Sequence, residues 1–149
     1  MPFALLPLPY HPSMRPGIRG WLLVLCTLLM LGQPLVLAIV ASNALDAITM
    51  RGLPSVLTLL LRVVVTGVGI AAGLALVQRR TGAVGFAKAS LCAAAATDVF
   101  VYLTPYFPSN RMPGDTPWYI AGSLAYYVVW LMYLVRSRRV RDTYREADR

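Results

Sequence analysis

The sequence predicts an all-α integral membrane protein, a bundle of four transmembrane helices. Three observations carry that expectation. First, 58% of the 149 residues are hydrophobic and only 13% are charged, against about 25% charged in a typical soluble domain. Second, the apolar residues gather in four stretches, 20–41, 54–77, 84–106 and 117–135, each long enough at ~1.5 Å per residue to cross a hydrocarbon layer of ~30 Å. Third, Lys and Arg are distributed very unevenly between the connecting segments. The chain divides into a proline-rich leader (1–16), a four-helix transmembrane domain (17–135) and a basic cytoplasmic tail (136–149).

The leader holds five prolines, Pro2, Pro7, Pro9, Pro12 and Pro16, which exclude a regular helix and favour extended conformations. The first span, 20–41, contains Pro34, which removes one intrahelical hydrogen bond and predicts a kink. A cleaved signal peptide is the rival reading, with Arg15 and Arg19 as its basic region. Signal cores usually run about 7–15 residues, and this apolar segment is longer.

A polar loop is expected at 43–53, carrying Asp46 and Arg51. Pro54 then suits the first turn of the second span, where its missing N–H has no intrahelical role. The loop 78–83 carries Arg79, Arg80 and Gly82, and Lys88 sits one turn into the third span, where it can snorkel to the interface. Pro108, Pro113 and Gly114 mark the loop 107–116 before the fourth span. The tail is expected to continue the last helix into water. Arg138 and Asp142 stand at a favourable i,i+4 spacing there, whereas Arg145 and Arg149 repel at the same spacing.

Four spans put both termini on the side of loop 78–83. That side holds Arg15, Arg19, Arg79, Arg80, Lys88 and the six tail arginines; the other holds Arg51 and Arg111. The positive-inside rule therefore predicts cytoplasmic termini. Trp21 and Tyr133 flank the inner interface, and Tyr102, Tyr106, Trp118 and Tyr119 the outer one. The net charge of +8 is explained by topology and by anionic lipid headgroups, with Arg136, Arg138, Arg139 and Arg141 as headgroup anchors. Nucleic acid is not an expected partner. A docking helix for a partner protein is the other reading of the tail.

Two strong charges lie deep inside the apolar stretches. Arg62 is 16 residues before Gln78 and Asp98 is 15 residues after Ala83, so a hairpin of the second and third spans brings them to one depth, about 12 Å from the outer ends. An ionisable residue in hydrocarbon requires a partner or a purpose. Ser55, Thr58, Arg62, Thr66, Gly69 and Gly73 share one face of the second span; Ala87, Leu91, Ala94, Ala95, Asp98 and Tyr102 share one face of the third. Tyr102, one turn from Asp98, is placed to hydrogen-bond to it. Three readings stay open: an Arg62–Asp98 ion pair that locks the hairpin, a proton or ion relay through Asp98, and two charges with separate partners. Gly69 and Gly73 form a GxxxG match, which serves either packing within the monomer or homodimerisation.

No metal site is expected from the single histidine, His11, with Cys26 and Cys92 in apolar segments, where a free thiol behaves as a small hydrophobe. Phosphate-loop, HExxH and Gly-x-Ser-x-Gly motifs are missing from the sequence, and so are paired carboxylates in the spans. No cofactor and no enzymatic activity are therefore expected.

Two stretches carry a resemblance. Gly17-Ile18-Arg19-Gly20-Trp21-Leu22-Leu23 resembles the GI-x-GWL opening of a family of small bacterial four-helix membrane proteins, catalogued as a domain of unknown function. The stretch from Trp130 and Tyr133 through Ser137-Arg138-Arg139-Val140-Arg141 to Thr143-Tyr144 is similar to that family's closing pattern. Tyr144 stands where Phe is usual, and Arg19 is bulkier than the Gly often found there. The resemblance implies a bacterial inner-membrane location and brings no catalytic residues. The resulting expectation is a structural or accessory subunit of a membrane complex, packing with itself or with another membrane protein. The alternative is a small proton- or ion-coupled transporter or channel component using Arg62 and Asp98.

Overall fold

A computed structural model of the protein describes residues 20–105 and 114–145. The leader with His11, the loop residues 106–113 and the last four residues lie outside it, as do the side chains of 43–51, Arg139, Asp142 and Arg145. Both i,i+4 relations expected in the tail therefore fall outside the described side chains. The elements are α1 (Trp21–Thr27), a π-helical turn (Leu28–Gly32), α2 (Gln33–Arg51), α3 (Leu53–Val77), α4 (Ala83–Leu103), α5 (Thr116–Arg136) and α6 (Arg138–Arg145). Among the described residues there is no strand. Four helices among the described residues are long and apolar enough to cross a membrane: Trp21–Ser42, Leu53–Val77, Ala83–Leu103 and Thr116–Arg136.

The first span shows what Pro34 does. The Gln33 N–H reaches back to the Leu28 carbonyl, an i→i+5 bond, just before the proline. A π turn at this point shifts the carbonyls that the Pro34 ring would otherwise meet in the preceding turn. The helix then runs on to Arg51, through the residues expected as a polar loop at 43–53. Ala44, Leu45, Ala47, Ile48 and Met50 carry no breaking signal, and one short polar cluster does not end a helix. The break comes at Gly52, whose φ of 65° is a conformation natural to glycine, followed by Pro54 in the first turn of α3.

The turn between α3 and α4 is a tight one. The Arg80 N–H bonds to the Ala75 carbonyl at 3.1 Å, a Schellman-type closure, with Arg79 at a φ of 52° in the position glycine usually takes. Gly82 starts α4 with a φ of 75°. These turns join α3 and α4 as antiparallel neighbours. In the packing, α2 lies on α3, α3 on α4 and α4 on α5, while α1 and the π turn also rest on α3. The bundle end bearing Trp21, Val77, Ala83 and Arg136 is called the basic end below.

The half of the bundle toward the basic end is its packed core. Leu25, Leu29, Leu76, Leu91 and Leu134 are buried there, with Ala72 and Ala87 letting the helices approach. Gly69 and Gly73 belong to the same contact. A Cβ on Gly73 would lie 2.7 Å from Met30 Cγ and 3.5 Å from the Cys26 carbonyl, and one on Gly69 would collide with the Gln33 amide. The GxxxG face thus receives the first span of the same chain. Cys26 is buried in this core; Cys92 is exposed on α4, and both thiols are free.

The tail departs from expectation. The last helix does not continue straight into water but stops at Ser137, which adopts extended backbone with ψ 117°. Ser137 then starts α6, its Oγ accepting the Val140 N–H at 3.4 Å. Val140 and Tyr144, spaced i,i+4, are buried against the bundle, and the Tyr144 hydroxyl donates to the Leu76 carbonyl at 2.6 Å. That carbonyl is in the last turn of α3 and also accepts the Arg79 N–H at 3.2 Å. Burial of an apolar pair and this added hydrogen bond outweigh the solvation of a straight extension. Burial pushes the Tyr144 hydroxyl up to about 12, with Arg79 pulling weakly the other way. Arg136, Arg138 and Arg141 remain exposed around this cap.

Candidate functional site

Arg62 and Asp98 meet. Arg62 Nη2 lies 3.2 Å from Asp98 Oδ1, and both side chains are largely buried. Each stands fifteen residues from the turn that joins the two helices, Arg62 before Val77 and Asp98 after Ala83, about 22 Å along each helix. The antiparallel hairpin thus brings the two charges to one level, as the spacing about the loop predicts.

The carboxylate has further partners on α5. Ser123 Oγ donates to Asp98 Oδ2 at 3.0 Å, and the Tyr127 hydroxyl donates to the same oxygen at 2.9 Å. Asp98 thus accepts from α3 on one oxygen and from α5 on the other. Charge-assisted hydrogen bonds of this kind are roughly twice as strong as neutral ones, and three of them replace much of the hydration a carboxylate loses. The result ties α3, α4 and α5 together at one point.

Ser123 and Tyr127 were not singled out from the sequence. They stand i,i+4 on α5 and continue to the buried Trp130 and Leu134, in steps of three and four. The signal was a buried face that includes a hydroxyl one turn from a tyrosine. The other candidates fall close by. Thr66 and Tyr102 line the same cavity as Arg62 and Asp98, and the Tyr102 ring packs 6.3 Å from Tyr119.

That cavity measures about 620 Å³ and lies between the first span and α5, with α3 and α4 as its floor. Its walls include Gln33 and Val36 on one side and Trp118, Gly122 and Tyr126 on the other. Because α2 and α5 make little direct contact, the cavity is a cleft between two spans. Among the described residues no group of three His, Cys, Asp or Glu side chains comes together.

The two end motifs also meet. The Trp21 ring, from the opening stretch, packs 6.3 Å from Trp130, from the closing one, and Trp130 stands edge-on to Tyr133 at 6.0 Å. Together with the Ser137 cap and Tyr144, they close the basic end of the bundle. Comparison with protein-family models, curated proteins and solved structures matches nothing to this chain.

Proposed function

We propose that this chain is a small polytopic protein of the bacterial inner membrane that serves as a structural or accessory subunit of a membrane complex, without catalytic activity. The observation that carries this reading is the Asp98 carboxylate, bonded to Arg62, Ser123 and Tyr127 at once. A charge engaged on both oxygens is suited to hold helices in place. A relay needs a carboxylate that exchanges its partners readily. The packed layer of Leu25, Leu29, Leu76, Leu91 and Leu134 toward the basic end supports the same reading, since a transport route would have to cross it.

Both termini are assigned to the cytoplasm on the Lys and Arg bias between the connecting segments. The exposed Arg136, Arg138 and Arg141 support contact with anionic headgroups. Reporter fusions at Arg149 test the orientation: cytoplasmic activity is expected, and periplasmic activity overturns it. Affinity purification in mild detergent, with partner identification, tests the role. A stoichiometric membrane-protein partner or a stable homo-oligomer is expected, and an isolated monomer argues against a subunit.

A second reading, a proton- or ion-coupled transporter component, is favoured by one observation: the cleft reaches Arg62, Thr66, Asp98 and Tyr102. Proteoliposomes separate the two. The subunit reading expects no proton flux that depends on Asp98, and a flux abolished by Asp98→Asn would establish the second.

A further inference from the structure

We propose that the cleft beside the Arg62–Asp98 pair binds an uncharged, lipid-soluble molecule whose flat head carries hydrogen-bond acceptors, the chemistry of a prenylated quinone. The inference stands independently of the subunit reading.

Access comes first. The cleft runs between α2 and α5, which make little direct contact, and its wall residues Val36 and Gly122 are exposed. In a membrane-spanning bundle that opening faces acyl chains, so a ligand reaches it from lipid and leaves its hydrocarbon chain there. The volume of about 620 Å³ falls within the range of roughly 300–1,000 Å³ typical of small-molecule sites.

Charge selects the head. Arg62 and Asp98 cancel at the floor of the cleft, so a neutral ligand leaves the balance intact. An ionic head would add an uncompensated charge in a low-dielectric site. This disfavours fatty-acid anions and alkylammonium cations alike.

Hydrogen-bonding polarity selects further. Asp98, the strongest acceptor on the floor, is already engaged by three donors. The Gln33 amide and the Thr66 hydroxyl line the cleft from the first span and α3. Each offers a donor to a ligand oxygen. Aromatic side chains shape the outer part. Tyr102 and Tyr119 pack as a tilted pair, with Trp118 beside them, and flat rings stack on such surfaces.

The test titrates the full chain in neutral-lipid nanodiscs with decylubiquinone and follows tryptophan fluorescence. Trp118 lines the cleft, while Trp21 and Trp130 pack together at the basic end. Saturable quenching is expected, and Trp118→Phe should remove most of it. Gly122→Leu should weaken apparent affinity at least tenfold by filling the cleft. A Cβ at position 122 meets nothing within 4 Å, so the fold tolerates the change, and Gly122→Ala provides a milder variant if Leu lowers the yield. Thr66→Val should weaken binding severalfold. The proposal is overturned if quenching rises linearly with probe and is equal in Gly122→Leu, which is simple partitioning. It is equally overturned if palmitate or dodecylamine displaces the probe more strongly than an uncharged prenyl quinone does.

Discussion

Gly73 discriminates between two uses of the same helix face, and its replacement separates them quantitatively. A Cβ there would approach Met30 Cγ to 2.7 Å, Leu29 Cβ to 3.3 Å and the Cys26 carbonyl to 3.5 Å. The methionine can swing away; the other two belong to a buried side-chain root and a backbone. Gly67, on the same helix, would place its Cβ in open space. Gly67→Ala therefore gains helix propensity alone, up to about 1 kcal/mol. Gly73→Ala gains the same term against an overpacking cost of about 1–3 kcal/mol, giving a net loss of up to about 2 kcal/mol. Gly73→Leu adds three further carbons against the first span and should reach or exceed the upper end of that overpacking range. The assay is unfolding in detergent, followed by circular dichroism at two protein concentrations, with mass measured in parallel. Packing within one chain predicts a lower midpoint for Gly73→Leu at both concentrations. An unchanged midpoint with loss of a dimer would refute the reasoning and move the GxxxG face to an interface between copies.

The cap formed by α6 makes three further predictions. Ser137→Ala removes the Oγ that accepts the Val140 N–H and should cost α6 about 1 kcal/mol, read as faster tryptic cleavage after Arg138 and Arg141. Tyr144→Phe loses the bond to the Leu76 carbonyl, about 0.5–1.5 kcal/mol, and should expose the same sites. Burial raises the Tyr144 hydroxyl above its ordinary value, so its contribution is full below about pH 10 and is lost as pH climbs toward about 12. The wild-type cap should therefore loosen in that alkaline window, and Tyr144→Phe should show no such step when tail amide exchange is followed against pH.

Much of this bundle was legible because lipid leaves helices few choices. The spans follow from apolar length, and the meeting of Arg62 and Asp98 follows from a six-residue loop and a shared helical period. The α5 partners were missed. Ser123 and Tyr127 are separated from Asp98 by a long connection, and neither is charged, so hydropathy gives no sign of them. Gln33 was overshadowed by Pro34, although its amide is what faces Gly69. The α6 fold-back was overlooked because a fourteen-residue tail dominated by charge reads as a solvated extension. The competing signal was one capping serine with Val140 and Tyr144 four apart.

The Asp98 network is tested most directly by a double-mutant cycle of Arg62→Gln and Asp98→Asn, with unfolding free energy measured in detergent. Each single change strands one charge in the bundle, and breaking a buried pair this way costs about 3–5 kcal/mol at full burial. Both charges here border the cleft, with side-chain exposures of 13% and 23%, so the cost should fall at the lower end. The double variant carries no stranded charge and keeps an oxygen for Ser123 and Tyr127. It should be more stable than the sum of the singles predicts, with a coupling of about 2 kcal/mol or more. Additive effects, with coupling near zero, would contradict an ion pair that holds α3, α4 and α5 together.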